Sequence, residues 1–252
     1  MNEVQVKQTN NQLAVLPSLE EFGVQEVSAN DIIIPYVQLI QPMSDKATDG
    51  KAMFGELRDS MTNELLGNFS KPLEFIPFFM ETLWVEYEAP AREGEQKKFL
   101  RILPVVKDPK SPNYNDDWKY QDGGIVRDRM MNFYVMLVKD IEAGGGMPFI
   151  VSFRRTSLQA GRKLATQMFV KNKASGKLPT AVVCKLVSTK ESNDKGTYAV
   201  MDVEPVRSAT NEEQMAAIQW LKPVKDGKTR RDDREIVGEA ETVIDATETT
   251  EF

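Results

Sequence analysis

The pattern of apolar and polar positions changes period along the chain. KPLEFIPFFMETLWVEYE (71–88) is dense in aromatic and β-branched residues and alternates from Leu83 to Glu88. This pattern predicts one long or broken strand, buried first and half-exposed later. RMMNFYVMLVKDIEA (129–143) and PFIVSFRRT (148–156) predict two more strands, with the Gly144–Gly146 run as a turn between them. The period then changes: Ser157-Leu158, Gly161, Leu164-Ala165 and Met168-Phe169 recur at three and four residues, the spacing of a helix that Thr156 or Ser157 would cap. AVVCKLVSTKE and GTYAVMDVEPV alternate again and are joined by SNDKG, a sequence suited to a hairpin turn. NEEQMAAIQWLK (211–222) reads as a last helix, amphipathic through Met215, Ile218, Trp220 and Leu221.

Before this block, DIIIPYVQLIQ (31–41) suits an edge strand because it contains a proline. AMFGELRD and SMTNELLGN suit a strand and a turn, and residues 89–124, rich in proline, suit loops and short strands. The expected class is therefore mainly β with few helices. Three strands, a helix and a two-stranded hairpin follow the order of an elaborated oligonucleotide-binding (OB)-like Greek-key β-barrel, with its helix between strands 3 and 4. Other folds that mix helices and strands share that order. The expected divisions are a mobile N-terminal arm (1–28), the barrel domain (29–222), and a basic hinge with a disordered acidic C-terminal tail (223–252).

Composition narrows the chemistry. The 252 residues contain no histidine and one cysteine, Cys184, which sits in an apolar run. Histidine-dependent nucleophilic catalysis and ordinary zinc sites are thereby excluded. GxxxxGK[ST] is absent, and no helix directly follows Gly144–Gly146, so neither phosphate-loop nor dinucleotide chemistry is indicated. Asp116-Asp117, Asp128, and Asp202 with Glu204 come closest to paired carboxylates, but solvent-facing acids are ordinary at such positions. The chain is expected not to be an enzyme and to need no metal or cofactor. No apolar run reaches the roughly 20 residues of a membrane span, and MNEVQVKQTNNQLAV has no basic segment followed by an apolar one. The expectation is a cytoplasmic protein without a membrane partner.

The distribution of charge says more than its total. The formal net charge is −6, and the last 18 residues contain Glu235, Glu239, Glu241, Asp245, Glu248 and Glu251 with no base. The remaining chain is therefore neutral overall. Just before the acidic segment, LKPVKDGKTRRDDR is basic. An acidic segment of this kind imitates a phosphate backbone: it can lie over a cationic groove or steer a terminal aromatic, Phe252, towards a partner's basic rim. A purely solubilising tail is the plainer alternative.

Basic and aromatic residues recur together. Trp84, Tyr87, Lys97, Lys98 and Arg101 form one group. Tyr114, Trp118 and Tyr120 lie with lysines in the proline-rich loop. Arg127, Arg129 and Tyr134 run on to Arg154 and Arg155. Lys171, Lys173 and Lys185 follow in the helix and hairpin. Cations along a groove and rings that stack on bases are what single-stranded nucleic acid requires. The same rings could instead pin loops to a core, and the same cations could be a solvated face. Arg154 and Arg155 are neighbours on a strand and point to opposite sides, so at least one needs a partner or ligand.

PFIVSFRRTSLQAGRKLATQMF, followed by LPTAVVCKLVSTKESNDKGTYAVMDVEPV, resembles the strand–helix–hairpin segment of phage-encoded single-stranded DNA-binding proteins with an OB fold. The acidic end closing on Phe252 resembles their partner-recruiting tails, although it is sparser in acids and lacks a proline before Phe252. IPYVQLIQPMSDKATDGKAMFGELRDSMTNELLG also resembles an uncharacterised phage protein family. The resemblance implies a sequence-independent single-stranded DNA-binding protein of phage replication or recombination, working in the host cytoplasm. Asp245, Glu248, Glu251 and Phe252 would then recruit replication, recombination or transcription proteins. Two alternatives are an adaptor that brings a phage RNA polymerase or recombinase to single-stranded DNA, and a host-defence inhibitor that acts by protein binding.

Overall fold

The computed structural model describes residues 32–89, 97–116, 121–122, 124–194, 196–226 and 230–231. The N-terminal arm, Trp118, Tyr120 and the acidic segment with Asp245, Glu248, Glu251 and Phe252 lie outside these. In chain order the elements are β1 (Ile33–Ile34), β2 (Val37–Leu39), α1 (Asp45–Thr48), β3 (Leu57–Asp59), β4 (Leu65–Gly67), β5 (Leu73–Glu88), β6 (Lys98–Pro104), β7 (Gln121–Asp122), β8 (Ile125–Leu137) and α2 (Val138–Glu142). They continue with β9 (Phe149–Arg154), α3 (Leu158–Ala165), α4 (Asn172–Ala174), β10 (Val182–Asn193), β11 (Gly196–Ser208), α5 (Asn211–Ile218), α6 (Leu221–Lys225) and β12 (Arg230–Arg231). The protein is mainly β, with antiparallel sheets and few helices.

The frame of the molecule is one antiparallel pair. β5 and β8 run against each other from Phe75↔Leu137 to Glu88↔Ile125. β10 and then β6 pair with the other edge of β5, while β9 and β7 pair with the other edge of β8. The long strands therefore lie in the order β11-β10-β5-β8-β9. β5 is a single strand despite Pro77, because the register shifts between Pro77 and Phe79. Such a bulge tolerates a residue that has no N–H to donate.

Alternation sends side chains to two cores. Phe75, Met131, Phe133, Val135, Val151, Phe153, Cys184 and Leu186 build the first, which α3 covers with Ala160 and Leu164. Ile76, Leu83, Val85, Tyr87, Met130, Tyr134 and Met136 build the second, covered by Ala217 and Val224 of α5 and α6. Burial alone pushes the Cys184 thiol up to about 12, which leaves it an inert thiol in the first core. The span between β9 and β11 is occupied by residues 36–41. Tyr36 bridges Ile150, while Gln41 donates to the Ala199 carbonyl (2.9 Å) and accepts from the Ala199 N–H (3.0 Å).

The helical expectations hold in outline and differ in detail. The stretch beginning at Leu158 widens into a π-helical segment over Thr166–Lys171 before α4. Ser157 does not cap α3 through its side chain; its hydroxyl accepts from the Met201 N–H (3.2 Å) and ties the helix start to β11. The amphipathic stripe expected in the last helix is displaced. Met215 is 65% exposed, and Glu213 and Ala217 are buried. Glu213 is held by Thr210 in a reciprocal N-cap and by both terminal nitrogens of Arg207, at 2.6 and 2.8 Å. A capping box and a bidentate ion pair outweigh apolar periodicity in a short helix. No described helix is long and apolar enough to cross a membrane.

Candidate functional site

The face of β8 that carries Met131 and Phe133 into the first core continues, two residues at a time, to Arg129 and Arg127. β5 places Trp84 opposite Arg129 and Glu86 opposite Arg127. The apolar core thus ends in a cationic row. Beside it, the chain leaves β9 through Arg155 and enters α3 at Leu158, and Arg162 lies one turn further on. Trp84, Arg127, Asp128, Arg129, Arg155, Leu158 and Arg162 line an open cleft of about 380 Å³. That size lies in the range of small-ligand sites.

Each arginine is held differently. Glu86 is 1% exposed and accepts from Arg127 Nε (2.7 Å) and Arg101 Nε (2.6 Å), one on each flanking strand. Burial works against ionising its carboxyl, but the two guanidiniums outweigh burial and hold it below the usual carboxylate range. Arg129 lies over the Trp84 ring, 5.7 Å from its centroid, and 3.7 Å from Asp116. Arg155 binds Asp128 at 2.9 Å and has φ +49°, in the left-handed region. A non-glycine residue there costs on the order of 1 kcal/mol, and backbone strain of this kind clusters at functional sites. Arg162 is exposed and has no ion pair among the described residues. The cleft is therefore preorganised and cationic, with Trp84 and Leu158 as its apolar wall.

The expected site residues divide. Arg127, Arg129, Arg155 and Trp84 come together. Trp84, Tyr87 and Tyr134, read as rings for stacking, are all buried in the fold, so none offers an open face to a base. The alternation of β5 and β8 sends Tyr87 and Tyr134 to the second core. Arg154 is on that side too, next to Tyr87, and the proximity of Arg154 and Arg155 partly offsets the upward push of burial on the phenol. Arg101 braces Glu86 from β6. Lys97 precedes the same strand and Lys98 begins it, both outside the cleft, and Lys98 is 4.0 Å from Glu88.

Tyr114 is 46% exposed in the loop after β6, which Asn115 ties down by donating to the Pro104 carbonyl and accepting from the Val106 N–H. Asp116 brings that loop back to Arg129. Lys171 and Lys173 are exposed on the far part of the helical stretch and do not line the cleft. Lys185 is not a free cation: it binds Glu204 at 2.8 Å and sits between Glu204 and Glu74 in the sheet register. Asp202, once a candidate carboxylate, binds Lys163 at 2.9 Å. No cluster of potential metal ligands occurs among the described residues.

Sequence reasoning missed Arg162, Asp128 in this role, and Glu86. The available signal was spacing: Trp84 and Glu86 on one strand and Arg127 and Arg129 on another are each two apart, and so share a face.

Residues 7–230 match the family model described as Pam3 phage gp34-like protein. The chain belongs to that family. No curated protein and no solved structure matches it. The match places this Pam3 gp34-like chain among phage proteins, and the arginine cleft lies within the matched span.

Proposed function

We propose that this phage protein binds single-stranded DNA without sequence preference and that the arginine cleft holds the phosphate backbone. The observation that carries this reading is the convergence of four guanidiniums on one cleft beside Trp84 and Leu158. Guanidinium forks suit phosphate oxygens, and phosphate contacts carry sequence-independent affinity.

The strand order supports the reading. β5, β8, β9, β10 and β11 follow the connectivity of a five-stranded oligonucleotide-binding barrel, with α3 between the third and fourth. Folds of that kind bind through strands 2 and 3 and through the loop between strands 1 and 2. Arg127 and Arg129 are on the second strand and Arg155 follows the third. The loop between the first and second carries Tyr114, Trp118 and Tyr120. With Trp84, Tyr87 and Tyr134 buried, cations carry most of the affinity, and the loop rings supply whatever stacking there is. The acidic segment 235–252 competes for the same cations in the absence of DNA and recruits replication or recombination partners once released. The protein has no catalytic step of its own.

The test is a titration of a fluorescent oligo-dT by anisotropy at about 50 and 200 mM salt. Binding that weakens log-linearly with salt is expected. No binding at the lower salt would remove the reading.

A further inference from the structure

The charges in the cleft are not equally committed, and this distinguishes one kind of phosphate from another. Arg127 shares the buried Glu86 with Arg101, and Arg155 is engaged by Asp128. Among the described residues the one ion pair of Arg129 is a longer contact to Asp116, at 3.7 Å, and Arg162 has none. Two guanidiniums thus remain under-compensated within a bounded cleft that starts where α3 begins. A groove that merely tracks a strand needs one cation per phosphate, because each diester carries one charge. Under-compensated cations converging on one hollow suit a group with two charges and three terminal oxygens, which is a phosphomonoester. Leu158, half-buried at the cleft wall, gives the attached nucleoside an apolar surface, and the positive end of α3 adds to the field.

We infer that the cleft prefers a nucleoside bearing a terminal phosphomonoester over an internal phosphodiester. Either a strand end or a free mononucleotide can supply that group. The inference rests on the proposed binding of single strands and names the part of the ligand that the cleft selects.

The experiment compares three fluorescent dT oligomers with a 5′-phosphate, a 3′-phosphate or hydroxyls at both ends, with thymidine monophosphate as competitor. One phosphorylated end should bind about tenfold more tightly than the hydroxyl-ended strand, the size of one charge-assisted hydrogen bond. In Arg162→Ala that preference should fall below about threefold, and in Arg162→Lys it should persist in part. Arg162 is exposed, so neither variant threatens folding. Competition by the mononucleotide at the same site adds the free nucleotide as a source; lack of competition assigns the strand end alone. Equal affinity for all three ends overturns the inference and leaves single-strand binding standing. Absence of binding by any oligomer removes both.

Discussion

Trp84 and Arg129 face each other across β5 and β8, with the guanidinium 5.7 Å from the ring centroid. The ring is 1% exposed, so it is a platform for the arginine and not for a base. This changes what each residue contributes. Trp84 fixes where a cation sits, and Arg129 presents that cation to the cleft.

Arg129→Ala should therefore weaken oligo-dT binding and make the plot of log K against log salt shallower by about one unit. The fold should lose about 1–2 kcal/mol, because the ring of this cation–π contact is buried and the guanidinium only about a quarter exposed. Anisotropy titrations over a salt series, paired with urea denaturation, separate the two effects. An unaltered slope would place Arg129 outside the phosphate contacts.

Glu86 is a buried carboxylate between two guanidiniums, so neutralising it should cost more than losing a surface ion pair. Glu86→Gln removes the carboxylate charge that Arg127, 9% exposed at its side chain, binds at 2.7 Å. A loss of about 3 kcal/mol is expected by urea denaturation. A change below about 1 kcal/mol would mean that solvent already screens the pair.

Glu213 sets an acid limit on the C-terminal helices. Its pKa is held at about 2, first by the hydrogen-bonded Arg207 and next, against the opposing effect of burial, by the Thr210 N–H. Because the folded value is below the unfolded one, the interaction contributes fully above about pH 4.5 and is lost as pH falls towards 2. Thermal melts from pH 6 to 2 should show a steeper fall in Tm for the natural chain than for Glu213→Gln. Parallel curves would contradict the assignment.

Gly161 lies inside α3, where alanine would ordinarily improve helix propensity by about 1 kcal/mol. Here a Cβ would stand 2.9 Å from Phe153 Cβ, an atom fixed to the β9 backbone. Overpacking of this kind costs about 1–3 kcal/mol. Gly161→Ala should thus destabilise on balance, and a rise in Tm would show that the helix can move off the sheet.

Alternation revealed the frame. Leu83, Val85 and Tyr87, like Phe133 and Val135, repeat at two residues, and Leu164 and Met168 repeat at four, so the long strands and α3 could be read directly. Local hydrogen bonding was less visible. The π-helical segment after Ala165 and the reciprocal cap at Thr210 leave no apolar period, and Met215 was misplaced for that reason. At the site, Arg127 and Arg129 were legible because they recur with aromatic residues, whereas burial of Trp84 depends on a partner strand that no local pattern names. Arg162 was passed over because the helix was read for its apolar residues. Lys185 looked free because Glu74 and Glu204 are distant in sequence and adjacent only in the sheet.

β1 and β12 pair in parallel, Ile33 with Arg230 and Ile34 with Arg231. The two ends of the described fold are therefore stitched at one corner. A dye pair carried by the two strands would report strong energy transfer in the native protein, and separating the stitch would abolish it.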